Sequence, residues 1–352
     1  MIPCPKKNLT RGKDPSLCAL RVSRIVKERN KTKHSIKNTP RERGIFVFVQ
    51  LFACCYNDLM EVKRLGVIRG GKDHYETSIR EGAELISHIL SHLSSSWKAV
   101  DIFIDREGRW HAGGLPVKPE NVFGKADIFW DTTRSDAYVT LTDAPIAHVS
   151  GGFSSFSHES RDMLAEHLKD KGIKIPRHIF LPAYQKDFDG PIETYAVRKA
   201  REVLEKFPPP WRMRLFPGDP RAGALLVKTL PELVNAIIDG SEYGGSVLVE
   251  EFVGGKNFSA HSVLGFRGKD VYIFPTDERI AVLARNLHEY VPAAYYVNAS
   301  FVVHPKNGAY LSDMEFSPDW TQDSAFTESC EKVGTKTHQV LLHILDKAFA
   351  RK

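Results

Sequence analysis

The segment SVLVEEFVGGKNFS, from Ser246 to Ser259, constrains this chain more than any other. Val247, Leu248 and Val249 are an apolar run of the kind a buried strand presents. Glu250 and Glu251 end that run abruptly. Gly254 and Gly255 then turn the backbone, and Phe258 restarts an apolar run through Val263 and Leu264. Two carboxylates and a glycine turn at the end of a core strand are unusual. Either the strand leaves the core at a solvated edge, or the acids serve a site.

A chain of 352 residues has room for two or three cores. Its 42% hydrophobic and 26% charged residues fit a soluble globular protein. No run reaches the roughly 18 apolar residues of a membrane span. The formal net charge of +6 is unevenly placed: residues 1–59 hold thirteen Lys and Arg against four Asp and Glu, which leaves the remainder net negative. That body has no charge to attract a phosphate backbone, so neither nucleic acid nor membrane is an expected partner. Cys4, Cys18, Cys54 and Cys55 lie in the basic leader and only Cys330 in the body. No spacing suggests zinc, and a body with one cysteine reads as reducing and cytoplasmic.

Residues 1–59 read as a leader that is disordered or a mis-assigned start. The Lys-, Arg- and Asn-rich run from Arg24 to Arg43 cannot pack. Ile45 to Cys55 is apolar, but the basic segment before it is too long for an ordinary signal peptide. Met60 is the expected natural start.

A first domain is expected over 60–150. Leu65 to Ile68 reads as a strand, followed by Gly70-Gly71 and an amphipathic helix from Thr77 to Leu93. Ile79, Leu85, Ile86, Ile89, Leu90 and Leu93 share one face of that helix, and Ser78 with Glu81 reads as a capping box. Strand, glycine turn and helix N-terminus form an anion-binding arrangement. Val100–Ile104 and Ala126–Trp130 are further strands, with a polar hairpin turn over Asp105–Trp110. The alternation predicts an α/β domain with an open, mostly parallel sheet.

A central segment over 151–245 carries a helix from Ser157 to Lys171, with Met163, Leu164 and Leu168 as its buried stripe. A helix from Ile192 to Phe207 and a strand over Trp211–Leu215 follow. The loop from Phe216 to Gly223 contains Arg221, a good phosphate ligand, or is an ordinary surface hairpin. Thr229 with Glu232 caps a third helix closed by Gly240. The last segment, 246–352, holds strands over Phe258–Leu264 and Val271–Phe274. A hairpin turns at Asn307-Gly308, and a final helix runs from Thr337 to Phe349. Asp313 and Glu315, two apart on one strand, share a face. They suit a hard cation such as Mg²⁺, or simply face solvent.

The hinge segment, the strand–Gly-Gly–helix start with Glu76-Thr77-Ser78, and Tyr310–Pro318 resemble the D-alanine–D-alanine ligases of the ATP-grasp superfamily, over about 60–352. The resemblance implies an ATP-grasp fold behind a Rossmann-like N-terminal domain. It implies ATP-dependent carboxylate–amine ligation through an acyl phosphate, in bacterial peptidoglycan precursor synthesis. ATP and Mg²⁺ or Mn²⁺ are the implied cofactors, D-alanine or a similar amino acid the implied substrate. A homodimer is left open. In these terms Glu76 holds the substrate ammonium and Ser78 joins it as a catalytic residue. Arg161, Arg214 and Arg221 meet the phosphates. Glu250 and Glu251 lie at adenine, Asn257 takes the ribose position, and Asp313 and Glu315 hold the metal. Glu76 equally reads as an acid complementing a helix dipole. The family's additional metal-binding Asp falls on Ser300 and its substrate-orienting Arg on Asn298. A His-Gly loop is missing between Asp131 and Pro145, and a Tyr/Lys loop between Pro275 and Val291. The other reading is therefore a degenerate homologue that keeps the fold for nucleotide binding or interaction.

Overall fold

A computed structural model describes residues 62–72, 75–133, 137–144, 146–150, 158–216, 224–242, 245–291 and 294–351. They belong to one compact unit, Val62–Lys352. The leader 1–59 and the loop 217–223 with Arg221 lie outside the described residues.

Three sheets are formed among the described residues. The first contains β1 (Lys63–Gly70), β2 (Trp97–Ile104), β3 (Trp110–Ala112), β4 (Leu115–Val117), β5 (Ile128–Asp131) and β6 (His148–Ser150), in the order β4-β3-β2-β1-β5-β6. β1 pairs in parallel with β2 and β5, and β5 with β6, while β3 and β4 are antiparallel additions at one edge. Leu65, Val67 and Ile68 are buried on both faces of β1, as a parallel sheet covered on both sides requires.

Helix α1 (Tyr75–His88) continues as a π-helical turn over Ile89–Leu93. Leu85, Ile89 and Leu93 are buried as their spacing predicts, but Leu90 is 63% exposed. The wider π turn rotates Leu90 off the buried stripe. The capping box is also corrected. Ser78 lies inside the helix, where its Oγ accepts the Gly70 N–H at 2.9 Å and bonds Thr132 Oγ1 at 2.8 Å. It pins the glycine turn to the end of β5. Short helix α2 (Tyr138–Thr142) precedes β6, and α3 (His158–Lys169) leads to the second sheet.

That sheet is antiparallel throughout, with β7 (His178–Leu181), β8 (Trp211–Phe216), β9 (Leu225–Val227) and β10 (Ser246–Glu251) in the order β7-β10-β8-β9. Short α4 (Lys186–Asp189) follows β7. Helices α5 (Ile192–Lys206) and α6 (Leu230–Glu242) cover one face, where Val203 and Ile237 pack with Trp211, Met213, Val247 and Val249. Thr229 caps α6 as its spacing to Glu232 predicts: Glu232 N–H reaches Thr229 Oγ1 at 3.4 Å, and the Glu232 carboxylate, its pKa lowered by hydrogen bonds from Lys228 and Thr229, accepts the Lys228 N–H at 2.8 Å. Gly240 does not end α6. A Cβ there would stand 2.9 Å from both Leu215 Cδ2 and Val247 Cγ2, so this glycine lets helix and sheet approach. β10 hydrogen-bonds to β7 and β8, although the division drawn from sequence begins the last segment at 246.

The third sheet, β12-β11-β13-β14, comprises β11 (Lys256–Leu264), β12 (Val271–Ile273), β13 (Tyr296–His304) and β14 (Gly308–Glu315). Helix α7 (Glu278–Tyr290) occupies the stretch between Pro275 and Val291, with Asp277 capping it by accepting from the Arg279 and Ile280 N–H groups. Its Ile280, Ala284 and Leu287 meet Leu164 and Leu168 of α3 over Val297 and Phe301. The closing helices α8 (Ala325–Lys332) and α9 (Thr337–Ala350) return to the first sheet, where Val340, Leu341 and Ile344 share a core with Leu65, Trp97 and Trp130. No described helix is long and apolar enough to cross a membrane.

Candidate active site

Period-two alternation sorts β8 and β10 into two faces. Trp211, Met213, Val247 and Val249 go to the core beneath α5 and α6. Arg212, Arg214, Leu248 and Glu250 go to the opposite face, with Leu248 in register with Arg214 and Glu250 with Arg212.

Arg214 joins this face to the third sheet. Its Nη1 donates to Asp313 Oδ2 at 2.7 Å, and its Nη2 donates to Ser312 O at 2.9 Å and to Glu250 Oε2 at 3.2 Å. The three side chains are 11% (Arg214), 15% (Asp313) and 0% (Glu250) exposed. Burial alone lowers the Arg214 pKa, but the charges of Asp313 and Glu250 outweigh it and the net shift is upward. Arg212 moves the other way, lowered by burial and by the neighbouring Arg214 charge, with Glu250 and Asp313 opposing.

A β-bulge aims Asp313. Ser300 stands opposite Asp313 while Phe301 stands opposite Leu311, which leaves Ser312 as the extra residue. Leu311 and Met314 then both enter the core. Ser312 Oγ donates to Ser300 O at 3.0 Å, and its own carbonyl receives Arg214. Glu315 accepts from Asn298 Nδ2 at 3.2 Å, and Asn298 Oδ1 accepts from Ser259 Oγ at 2.7 Å.

The remaining sequence-derived residues are placed elsewhere. Glu251 binds Arg177, taking its backbone N–H at 3.0 Å and its Nε at 2.6 Å. Asn257 is exposed on β11, opposite Val302. Glu76 is exposed at the start of α1 and bonded to Arg106 Nη2 at 2.6 Å, with the Arg106 guanidinium 4.2 Å above the Tyr75 ring. Ser78 is fully buried, and both bonds of its hydroxyl described above are internal. Arg161 lies on α3, its side chain outside the described residues. Thus Arg214, Glu250 and Asp313 are brought together, with Glu315 next on the strand. The sequence reading missed Arg212, Arg177 and the partner role of Asn298. Arg212 carried a signal, since it stands two residues from Arg214 on one strand, just as Asp313 stands from Glu315.

The donor set does not fit a resident divalent ion. Mg²⁺ wants free carboxylate oxygens in near-octahedral geometry. Asp313 Oδ2 is taken by Arg214 and Oδ1 by the Met314 N–H at 2.9 Å, and Glu315 is held by Asn298. Among the described residues, no group of three or more His, Cys, Asp or Glu side chains is placed to hold a metal.

Solved structures resemble this architecture. The D-alanyl-alanine synthetase A of Vibrio cholerae O1 biovar eltor superposes with a TM-score of 0.62 at 14% identity, over 83% of this chain and 100% of that one. The D-alanine–D-alanine ligase of Bacillus anthracis complexed with ATP gives 0.58 at 17%, over 82% and 98%. The VanG D-Ala:D-Ser ligase of Enterococcus faecalis gives 0.58 at 15%, over 82% and 100%. The fold is therefore α/β, and it is the ATP-grasp fold. More narrowly, it is the fold of the D-alanine–D-alanine ligases, carried at low sequence identity. No family model matches the chain, and no curated protein matches it.

Proposed function

We propose that the chain binds ATP between the second and third sheets and acts as a carboxylate–amine ligase. The observation that carries this reading is the Arg214 cluster: hinge acid Glu250 and third-sheet acid Asp313 meet on one guanidinium, inside a fold shared with a ligase solved with ATP. In this reading the backbone from Glu250 to Val253 meets the base. Arg212 and Arg214 face the phosphates, where fixed cations stabilise charge that develops as a phosphoryl group transfers. Bidentate guanidinium geometry suits that role better than an ammonium would. Glu76 is the proposed holder of a substrate ammonium, which would displace Arg106 from the carboxylate. D-alanine or a similar amino acid is the first substrate to try. Asp313 and Glu315, held by Arg214 and Asn298, do not fit a resident Mg²⁺.

Thermal unfolding with a non-hydrolysable ATP analogue tests the binding. A ligand at about one hundred times its Kd adds about 2.7 kcal/mol of stability, a readily measured rise in Tm. Phosphate release from ATP, scanned over D-amino and D-hydroxy acids, tests the chemistry. No thermal shift and no release with any acid would overturn the reading.

A further inference from the structure

The side chains that would form the metal centre of a ligase of this fold are already committed to a cation of the chain's own. Arg214 stands between Glu250 and Asp313, bonded to both and to the Ser312 carbonyl. Arg212 lies near enough for its charge to couple with all three. Two guanidinium groups and two carboxylates make this cluster self-neutralising. A bare carboxylate pair in so dry a place would attract a dication strongly. The paired cluster attracts one far less, because Arg212 and Arg214 already offset Glu250 and Asp313, leaving the single charge of Glu315, and an added dication must break a 2.7 Å bond to reach Asp313 Oδ2. The other acid, Glu315, is oriented by Asn298, whose own amide oxygen is fixed by Ser259. Ser300, opposite Asp313, offers a hydroxyl and no charge.

We infer that the third-sheet acid pair is not a divalent-metal centre, and that Arg214 is the resident cation holding Asp313 and Glu250 together. The inference rests on the ligase reading for the place of a nucleotide, and on the ion pairs alone for the metal. Any metal that accompanies a nucleotide then comes on its phosphates and is not tethered by Asp313.

The test has two arms on the full chain. In the first, Mn²⁺ is titrated without nucleotide and its free signal followed by electron paramagnetic resonance, for wild type, Arg214→Ala and Asp313→Asn. Wild type and Asp313→Asn should show the same weak background binding. Arg214→Ala, which frees carboxylate oxygens for a hard cation, should bind Mn²⁺ at least ~10-fold more tightly. Stoichiometric binding by wild type that Asp313→Asn abolishes overturns the inference, and it does so even if Arg214→Ala fails to fold. In the second arm, the thermal shift given by an ATP analogue is measured in EDTA and in Mg²⁺, for wild type and Asp313→Asn. A shift in EDTA supports the inference, as does a Mg²⁺-dependent shift that Asp313→Asn leaves unchanged. A Mg²⁺ requirement lost in Asp313→Asn overturns it. No shift under either condition defeats the nucleotide reading instead, and the Mn²⁺ arm still decides the metal.

Discussion

Replacing Arg214 with Met removes the charge and keeps most of the stem. Glu250 has no exposed side-chain surface and Asp313 only 15%, so neither can recover in water what it loses. Breaking a buried pair by removing one partner costs about 3–5 kcal/mol. The lower end, about 3 kcal/mol, applies here because the Arg212 charge stays close to both acids. At roughly 2 °C per kcal/mol for a chain of this size, Tm should fall by about 6 °C. The control is Arg106→Met. The Arg106–Glu76 contact is shorter, at 2.6 Å, but its side chains are 62% and 81% exposed. Water screens that pair, and about 0–1 kcal/mol is expected. Urea unfolding followed by tryptophan fluorescence should separate the two variants, and adding Glu250→Gln to Arg214→Met should recover part of the loss. Equal midpoints for Arg214→Met and Arg106→Met would refute the reasoning, because burial rather than bond length is claimed to decide.

His261 should make the fold acid-sensitive. Burial, with a smaller push from Lys332, lowers its pKa from 6.5 to about 4, so the unfolded chain binds its proton first. Stability is then lost as pH falls below about 6.5, reaching about 2 kcal/mol at pH 5 and levelling off below 4. His261→Gln should show a correspondingly smaller loss between pH 7 and 5 in urea titrations, and identical losses would contradict the assignment. Gly255→Ala should destabilise the turn between β10 and β11. Its Cβ would meet the Val303 carbonyl oxygen at 2.3 Å, and overpacking against backbone costs about 1–3 kcal/mol. A variant as stable as wild type would show that β13 yields there.

Legibility followed the range of the interactions. The hinge strand, the α1 stripe up to Ile89 and the Asn307-Gly308 hairpin are local patterns, and they fold where their periodicity puts them, while Leu90 departs with the π turn. α7 carries a readable stripe in Ile280, Ala284 and Leu287, in a stretch where the family resemblance implies a loop instead. Ser78 looked like a cap because its spacing to Glu81 suited one, whereas its bonds go to Gly70 and Thr132 across the sheet. The pairing of Arg214 with Asp313 joins residues on different sheets and depends on a bulge at Ser312, which no periodicity announces. Chemistry-bearing residues were therefore visible one strand at a time, and their meeting was not.

The chain passes between the second and third sheets twice. Lys174 is paired with β14 before β7 begins, and β10 leaves its sheet at Glu251 to enter β11. Arg177 and Glu251 bind these two passages to each other through three hydrogen bonds, of 2.6, 2.8 and 3.0 Å. The passages so joined cannot slide past one another. Any parting of the two sheets would therefore pivot at that seam, like pages about a spine, and would have to undo the bonds of Arg214 to Asp313 and Ser312.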